Sequence, residues 1–355
     1  MIGDFGLAGQ PESDVATLVK SWNPDFILTL GDNNYEYGEA STIDQNVGQY
    51  YHEFISPYIG SFGVGSSTNR FFPVLGNHDW QATGAQPYLD YFELPGNERY
   101  YDFVRGPVHF FAIDSDVSEP DGQTSTAPQA LWLRDGLANS TSPWKIVYFH
   151  HPPYSSGTRH GNNATMQWPF HAWGASIVIA GHEHTYERIE RDSIIYLVNG
   201  LGGKSIYSFG SPVTGSVVRY NADYGALQGV ASVESLSIKF ITRSGITVDS
   251  FALGRNIAHV QADRPNVYVD FRLQQNYPNP FNPSTKLTFT IARSHFVVLK
   301  VFNIFGEVIT SLIEGALPPG TYTADWNGSN VASGEYIARL TVDGVMMARR
   351  MTLVR

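Results

Sequence analysis

The chain has 355 residues, 42% of them apolar, a formal net charge of −10 and no cysteine. That length exceeds one ordinary domain and supplies a buried core, so disorder is excluded and two domains are expected. The acidic balance, without any Lys/Arg-rich run, excludes a nucleic-acid scaffold; no apolar run is long enough for a transmembrane segment, and the missing thiols exclude disulfides and thiolate metal sites.

Met1, Ile2 and Gly3 run straight into Asp4. There is no signal peptide and too little chain for a strand, so the start reads as truncated and Asp4 as loosely fixed. Residues 12–22 have helical periodicity. Short apolar runs at 25–30 (DFILTL), 71–75 (FFPVL), 108–113 (VHFFAI), 145–149 (KIVYF) and 176–180 (SIVIA) each end in a polar turn and predict buried strands. Residues 128–137 predict a helix that opens on Pro128. The pattern is α/β and layered. From Ser235 the texture changes to strands alone, with 236–242 and 247–253 joined at Ser244-Gly245.

A polar stretch, 255–272, reads as a linker between a first domain at 1–254 and a second at 273–355. In the second, strands are expected at 286–291, 297–302, 307–313, 320–326, 334–342 and 346–354, bounded by Gly, Pro and Asn turns. A small β-sandwich is the natural reading.

Five short segments hold residues that ligate metals, four of them at ends of predicted strands. They are Gly3-Asp4-Phe5-Gly6, Gly31-Asp32-Asn33-Asn34-Tyr35, Gly76-Asn77-His78-Asp79, Val147-Tyr148-Phe149-His150 and Gly181-His182-Glu183-His184. Oxygen and imidazole donors without sulfur suit iron, zinc or manganese. Alone, each segment reads as a turn; five in order are hard to assemble by chance. His182 and His184, two apart, point the same way if the segment is extended, and Glu183 then faces the opposite side. His151 precedes Pro152-Pro153, and its ring is expected to point away from the ions. His52, His109 and His171 read as ordinary core or surface histidines, and Tyr154 and Tyr186, beside the motifs, either as packing residues or as pocket lining.

These segments resemble the pattern of the calcineurin-like metallophosphoesterases, GDxG, GDxxY, GNH followed by an acid, VxxH and GHxH, across residues 1–254. The tyrosine of the second, Tyr35, narrows the resemblance to the purple acid phosphatases. The resemblance implies an α/β fold, a two-sheet β-sandwich core flanked by helices, and a centre of two metal ions. Fe(III) would be held by Asp4, Asp32, Tyr35 and His184, and a divalent ion (Zn, Fe or Mn) by Asn77, His150 and His182, with Asp32 bridging. It further implies an acid phosphatase acting on small phosphate monoesters, in which a metal-bound hydroxide attacks phosphorus in line. His78 would protonate the leaving group, oriented by Asp79, and His160 would bind substrate. A phosphodiesterase or nucleotidase on the same ions is the alternative, as is an inactive metal-binding surface protein.

The tail has a second resemblance. LQQNYPNPFNP at 273–283, VFNIFGEVI at 301–309, Asp325-Trp326-Asn327-Gly328, Ser333-Gly334-Glu335-Tyr336 and the basic-apolar end at 349–355 are similar to the C-terminal sorting domains of bacterial type IX secretion. That implies an immunoglobulin-like domain, the type IX secretion machinery as partner and a secreted or cell-surface location, with the signal peptide missing from this chain.

Overall fold

In the computed structural model, which describes residues 1–254, 271–303, 307–342 and 345–354, the first part holds twelve strands. They are β1 (Ile27–Leu28), β2 (Phe71–Phe72), β3 (Tyr101–Arg105), β4 (Val108–Ala112), β5 (Trp144–Phe149), β6 (Ile177–Ala180), β7 (Tyr186–Arg191), β8 (Ile194–Asn199), β9 (Ser216–Tyr220), β10 (Gly225–Ala231), β11 (Ser235–Thr242) and β12 (Thr247–Gly254). One sheet runs in the order β3-β4-β5-β6-β8-β7-β9, with β4, β5, β6 and β8 parallel and the outer strands antiparallel.

The apolar runs of β5 and β6 follow from burial on both faces. Ile146, Tyr148, Ile177 and Ile179 enter one core cluster, while Val147, Phe149, Val178 and Ala180, pointing the other way, enter a second. The second cluster is closed by Ala130, Leu133 and Leu137 of the helix Pro128–Asn139 and by Phe170. The first lies against the remaining strands, the parallel pair β1–β2 and the antiparallel β10-β11-β12.

Met1 to Gly3 do what the sequence reading denied them. The Ile2 amide donates to Leu28 O at 3.1 Å, and Ile2 O accepts from Leu30; on the other side Met1 and Leu227 exchange both hydrogen bonds. The segment runs parallel to Thr29 and carries Asp4, fully buried, with its amide on Gly31 O. Asp4 is firmly held. The strands-only region also begins earlier than expected, at Ile177, since β6, β7, β8, β9 and β10 follow the last helix among the described residues, Phe170–Trp173, and precede Ser235.

The helix Gln10–Ser21 starts with proline in its first turn and buries Val15, Ala16 and Val19. It also buries Glu12 completely, and neither Glu12 oxygen has a hydrogen-bond partner among the described residues. Burial pushes that carboxyl well above its ordinary value. Between the ordinary and raised values the folded chain holds a proton that the unfolded chain lacks, so stability falls as pH rises through this window. Glu12→Met is expected to stabilise the protein by about 1–3 kcal/mol at pH 7, with the gain vanishing near pH 4. Urea unfolding of both proteins at the two pH values is the check, and an equal gain at both would sink the argument.

The contacts divide the chain into two compact units, Met1–Ala258 and His259–Arg355. The second contains β13 (Phe271–Leu273), β14 (Ser284–Ile291), β15 (His295–Asn303), β16 (Val308–Leu317), β17 (Gly320–Asn327), β18 (Gly334–Val342) and β19 (Val345–Leu353), in two sheets, β13-β14-β17 and β16-β15-β18-β19. Leu287, Phe289, Val297, Leu299, Trp326 and Leu340 share its core. Most of the expected linker, 255–270, lies outside the described residues; its end does not, because Phe271 and Arg272 already pair with Ile291 and Thr290. Among the described residues no helix is long and apolar enough to cross a membrane.

Candidate metal centre

Each of the five segments leaves the C-terminal end of an extended stretch, where a parallel arrangement gathers loops at one edge. Asp4 follows Met1–Gly3, Asp32 follows β1, Asn77 follows β2, His150 follows β5 and His182 follows β6. Asp4, Asp32 and His182 have φ of 55°, 53° and 67°. Left-handed backbone at a non-glycine costs about 1–3 kcal/mol and persists only where its surroundings impose it. Here it turns three side chains toward one place. The 181–185 segment is therefore a turn, not the extended stretch expected from His-x-His, yet both histidines converge.

On one side stands Tyr35. Its hydroxyl donates to Asp32 Oδ2 at 2.8 Å and lies 3.3 Å from both Asp4 Oδ1 and His184 Nε2. His184 Nδ1 is bonded to Ser205 Oγ at 2.7 Å, which leaves Nε2 facing the cluster. On the other side His150 Nε2 lies 3.1 Å from Asn77 Oδ1, 3.0 Å from His182 Nδ1 and 3.4 Å from Asp32 Oδ1. The His150 Nδ1–H donates to Leu30 O, so the tautomer that fits presents a lone pair inward. Asp32 therefore faces one group with each oxygen.

Residues 2–186 match the calcineurin-like phosphoesterase family. The chain belongs to that family. Among its curated relatives, purple acid phosphatase 15 of Arabidopsis thaliana is 28% identical over 240 residues, covering 57% of this chain and 44% of that protein. A purple acid phosphatase of Glycine max is 29% identical over 185 residues, covering 48% of this chain and 37% of that one. The chain spans about half the length of the curated relatives it matches. Among solved structures, GAP50, the anchor in the inner membrane complex of Plasmodium, superposes with a TM-score of 0.56 at 19% identity over 71% of this chain and 87% of that one, a likeness of fold.

A calcineurin-like phosphoesterase implies a pair of metal ions, and the donors here fit them. Tyr35 brings one hydrogen to the carboxylate oxygens of Asp4 and Asp32, with His184 Nε2 beside them, so lone pairs outnumber protons where these groups meet. Asp4, Asp32 and His150 each offer a ligand atom within 4.8 Å of the others, and so do His150, His151 and His182. The electrostatics ask for positive charge. Burial opposes ionisation of Asp32, yet His150 and His78 hold it well below the usual carboxylate range; burial likewise opposes a charged His150, yet Asp32 pushes it up to about 10. A proton on His150 stands in for a cation between them.

His78 lies at the mouth, its amide donating to Asp32 Oδ1 at 2.9 Å and its ring 4.4 Å from that of Tyr35. The expected orienting role of Asp79 is not what the geometry shows. Asp79 is buried and accepts from the Gly76 amide and from the amide and side chain of Asn33, bracing two ligand loops against each other; burial, then Asp32, pushes it up to about 7. The His78 Nδ1–H donates instead to Glu36 O at 2.6 Å. A carbonyl has no sequence signature, which is why the acid beside His78 drew the assignment.

His160 does reach the centre, its ring 4.0 Å from that of His182. His151 corrects the sequence reading: its ring lies 4.3 Å from His182 rather than pointing away, with Nδ1 bonded to Ser115 Oγ. Of the two readings of Tyr154 and Tyr186 the structure supports packing, with Tyr154 against Tyr196 and Tyr186 against Phe240, and His109 pairs with Asp102 far from the motifs in the chain. Sequence reasoning missed Lys204, which pairs with Glu36 and sits 4.7 Å over the Tyr35 ring, and Tyr207, stacked on His184 at 4.1 Å. Neither lies in a motif.

Proposed function

We infer that this chain is a dinuclear-metal hydrolase of phosphate esters, a phosphomonoesterase of the purple acid phosphatase type. The observation that carries the finer part is the Tyr35 oxygen, placed within reach of Asp4, Asp32 and His184 together. The relatives called purple acid phosphatases support the same reading. Asp4, Asp32, Tyr35 and His184 would hold Fe(III); Asn77, His150 and His182 would hold a divalent ion, Zn, Fe or Mn. Bound ions supply an activated water and neutralise charge on the phosphoryl oxygens.

The chain's own groups do the rest. With Nδ1–H on Glu36 O, an imidazolium at His78 carries its second proton on Nε2, the atom free to protonate the leaving oxygen. His160, on the exposed rim, contacts the substrate. The bonds behind His150 and His184 orient their inward nitrogens before substrate arrives, and the Leu30 carbonyl also fixes the His150 tautomer.

The tail belongs to the same proposal as an immunoglobulin-like sorting domain for type IX secretion, giving a secreted or cell-surface enzyme. Its motif residues act as staples: Asn276 Nδ2 donates to Pro278 O and Thr285 Oγ1, the Thr352 amide donates to Asn279 Oδ1, and Phe281 is buried against Trp326.

Metal analysis with a visible spectrum tests the reading. Purified protein is expected to contain iron, to show a tyrosinate-to-Fe(III) band that Tyr35→Phe removes, and to turn over p-nitrophenyl phosphate faster than its bis ester. A colourless, iron-free, active enzyme would move the chain to another branch of its family.

A further inference from the structure

Glu183 sits between two proposed ligands, fully buried, and its carboxylate faces neither of them. It accepts three consecutive main-chain amides instead: Arg159 at 3.1 Å, His160 at 2.8 Å and Gly161 at 3.0 Å. Three N–H donors on one buried carboxylate form a charge-assisted clamp, stronger than neutral bonds and lost if the acceptor is removed. The turn it grips carries two exposed side chains over the centre. His160 stacks near His182 at 4.0 Å and faces Tyr207 at 5.8 Å, and the Arg159 guanidinium lies 5.8 Å over the Tyr207 ring.

The clamp is backed from behind. Glu187, buried on β7, accepts from the Ser156 amide and hydroxyl and from Ser216 Oγ, fixing the start of the same loop. Gly157 lies so close that a Cβ there would fall 2.1 Å from the Glu183 carboxyl carbon. The loop 155–161 forms no regular strand; the isolated pair of Gly157 with Phe209 and the Thr158 hydroxyl on Ser208 O hold its middle, and the two carboxylates hold its start and its Arg159–Gly161 end.

We propose that Glu183 is a positioning residue for the substrate, holding the Arg159–His160 turn so that both side chains present positive or hydrogen-bonding groups to the phosphate of a bound monoester. The role rests on the phosphatase reading above for its substrate, but not for its geometry. It predicts two separable effects of Glu183→Ala: a freed turn and weakened phosphate binding with the chemistry largely kept.

Hydrogen exchange followed by mass spectrometry reads the first without any turnover. In Glu183→Ala the peptide spanning 157–163 is expected to exchange faster than in the parent, while Glu183→Gln, which retains one acceptor oxygen, falls between. For the second, KM for p-nitrophenyl phosphate and the inhibition constant of inorganic phosphate are expected to rise about tenfold with kcat within about threefold. Arg159→Ala and His160→Ala are each expected to raise KM likewise, and Glu183→Ala to add little once both are in place. Unchanged exchange in Glu183→Ala overturns the proposal, as does a KM effect that persists in full in the Arg159→Ala/His160→Ala background. Loss of bound metal from both Glu183 variants also overturns it, by placing that carboxylate among the ligands. A parent protein without hydrolase activity whose 157–163 peptide still exchanges faster in the variant would remove the phosphatase reading and leave the clamp standing.

Discussion

Asp32→Asn is expected to lower kcat/KM by about a thousandfold and to leave the purified protein with less than its full complement of metal. The reason lies in how its two oxygens are used. Oδ2 accepts from the Tyr35 hydroxyl at 2.8 Å and Oδ1 accepts from the His78 amide at 2.9 Å, so each faces a donor. An amide in the same place turns its NH2 toward one of those donors whichever way round it sits. The substitution also removes a negative charge lying 3.4 Å from His150 Nε2, where a cation between the two groups would be held. Because, against its burial, His150 and His78 hold the Asp32 carboxylate well below its usual range, its charge also stabilises the metal-free fold, and losing it should lower that stability too. Activity, metal content and the unfolding midpoint of the metal-free protein together decide the matter: all three should fall. A variant with parental metal content and activity would remove Asp32 from the bridging position.

The parts of this fold that were legible in the sequence share one property. β6 and most of β4 and β5 are apolar because they are covered on both faces, with His109 and Lys145 the exceptions, and the helix Pro128–Asn139 announces itself with proline. β7 was missed for the opposite reason. Its sequence, YERIER, carries four charges and looks like a surface loop, but Glu187 is buried on serines and Arg188 is paired with Asp249, so two of the four are satisfied inside the structure. β3 and β9, at the two edges of the sheet, have only five positions each, β3 burying just Tyr101 and Phe103 and β9 alternating half-buried and exposed residues, too short a window for a period to declare itself.

In the centre itself, the gathering of the five motifs could be anticipated from their order, but the supporting bonds could not. Leu30 O behind His150 and Glu36 O behind His78 are main-chain atoms that any residue supplies, and Ser205, behind His184, is one serine among many. His151 turns inward because the chain already bends past the end of β5, so its place before Pro152-Pro153 does not decide where its ring points. The sign of pairing, Asp79 with His78, failed similarly: neighbours in sequence at a turn point to different places.

Gly31→Ala is expected to damage both stability and the centre, and a second glycine shows why the two can be separated. Gly31 has φ of +88°, and a Cβ there would lie 2.5 Å from His150 Nδ1 and 2.7 Å from its Cγ. Gly245, in the β11–β12 turn, has φ of +85° with nothing within 4 Å of the added atom. Both alanines incur the backbone strain, about 1 kcal/mol, while only the first must also push aside a buried imidazole. His150 has nowhere to go without breaking its bond to Leu30 O and withdrawing Nε2 from Asn77 and His182. Gly31→Ala should therefore cost about 2–4 kcal/mol and abolish binding of the divalent ion, whereas Gly245→Ala should cost about 1 kcal/mol with metal content and activity intact. Denaturant unfolding and metal analysis on the two variants provide the comparison. Equal losses of stability, with metal retained in both, would mean that His150 can yield to a methyl group, and that the close approach of β1 to the end of β5 is not what fixes its ring.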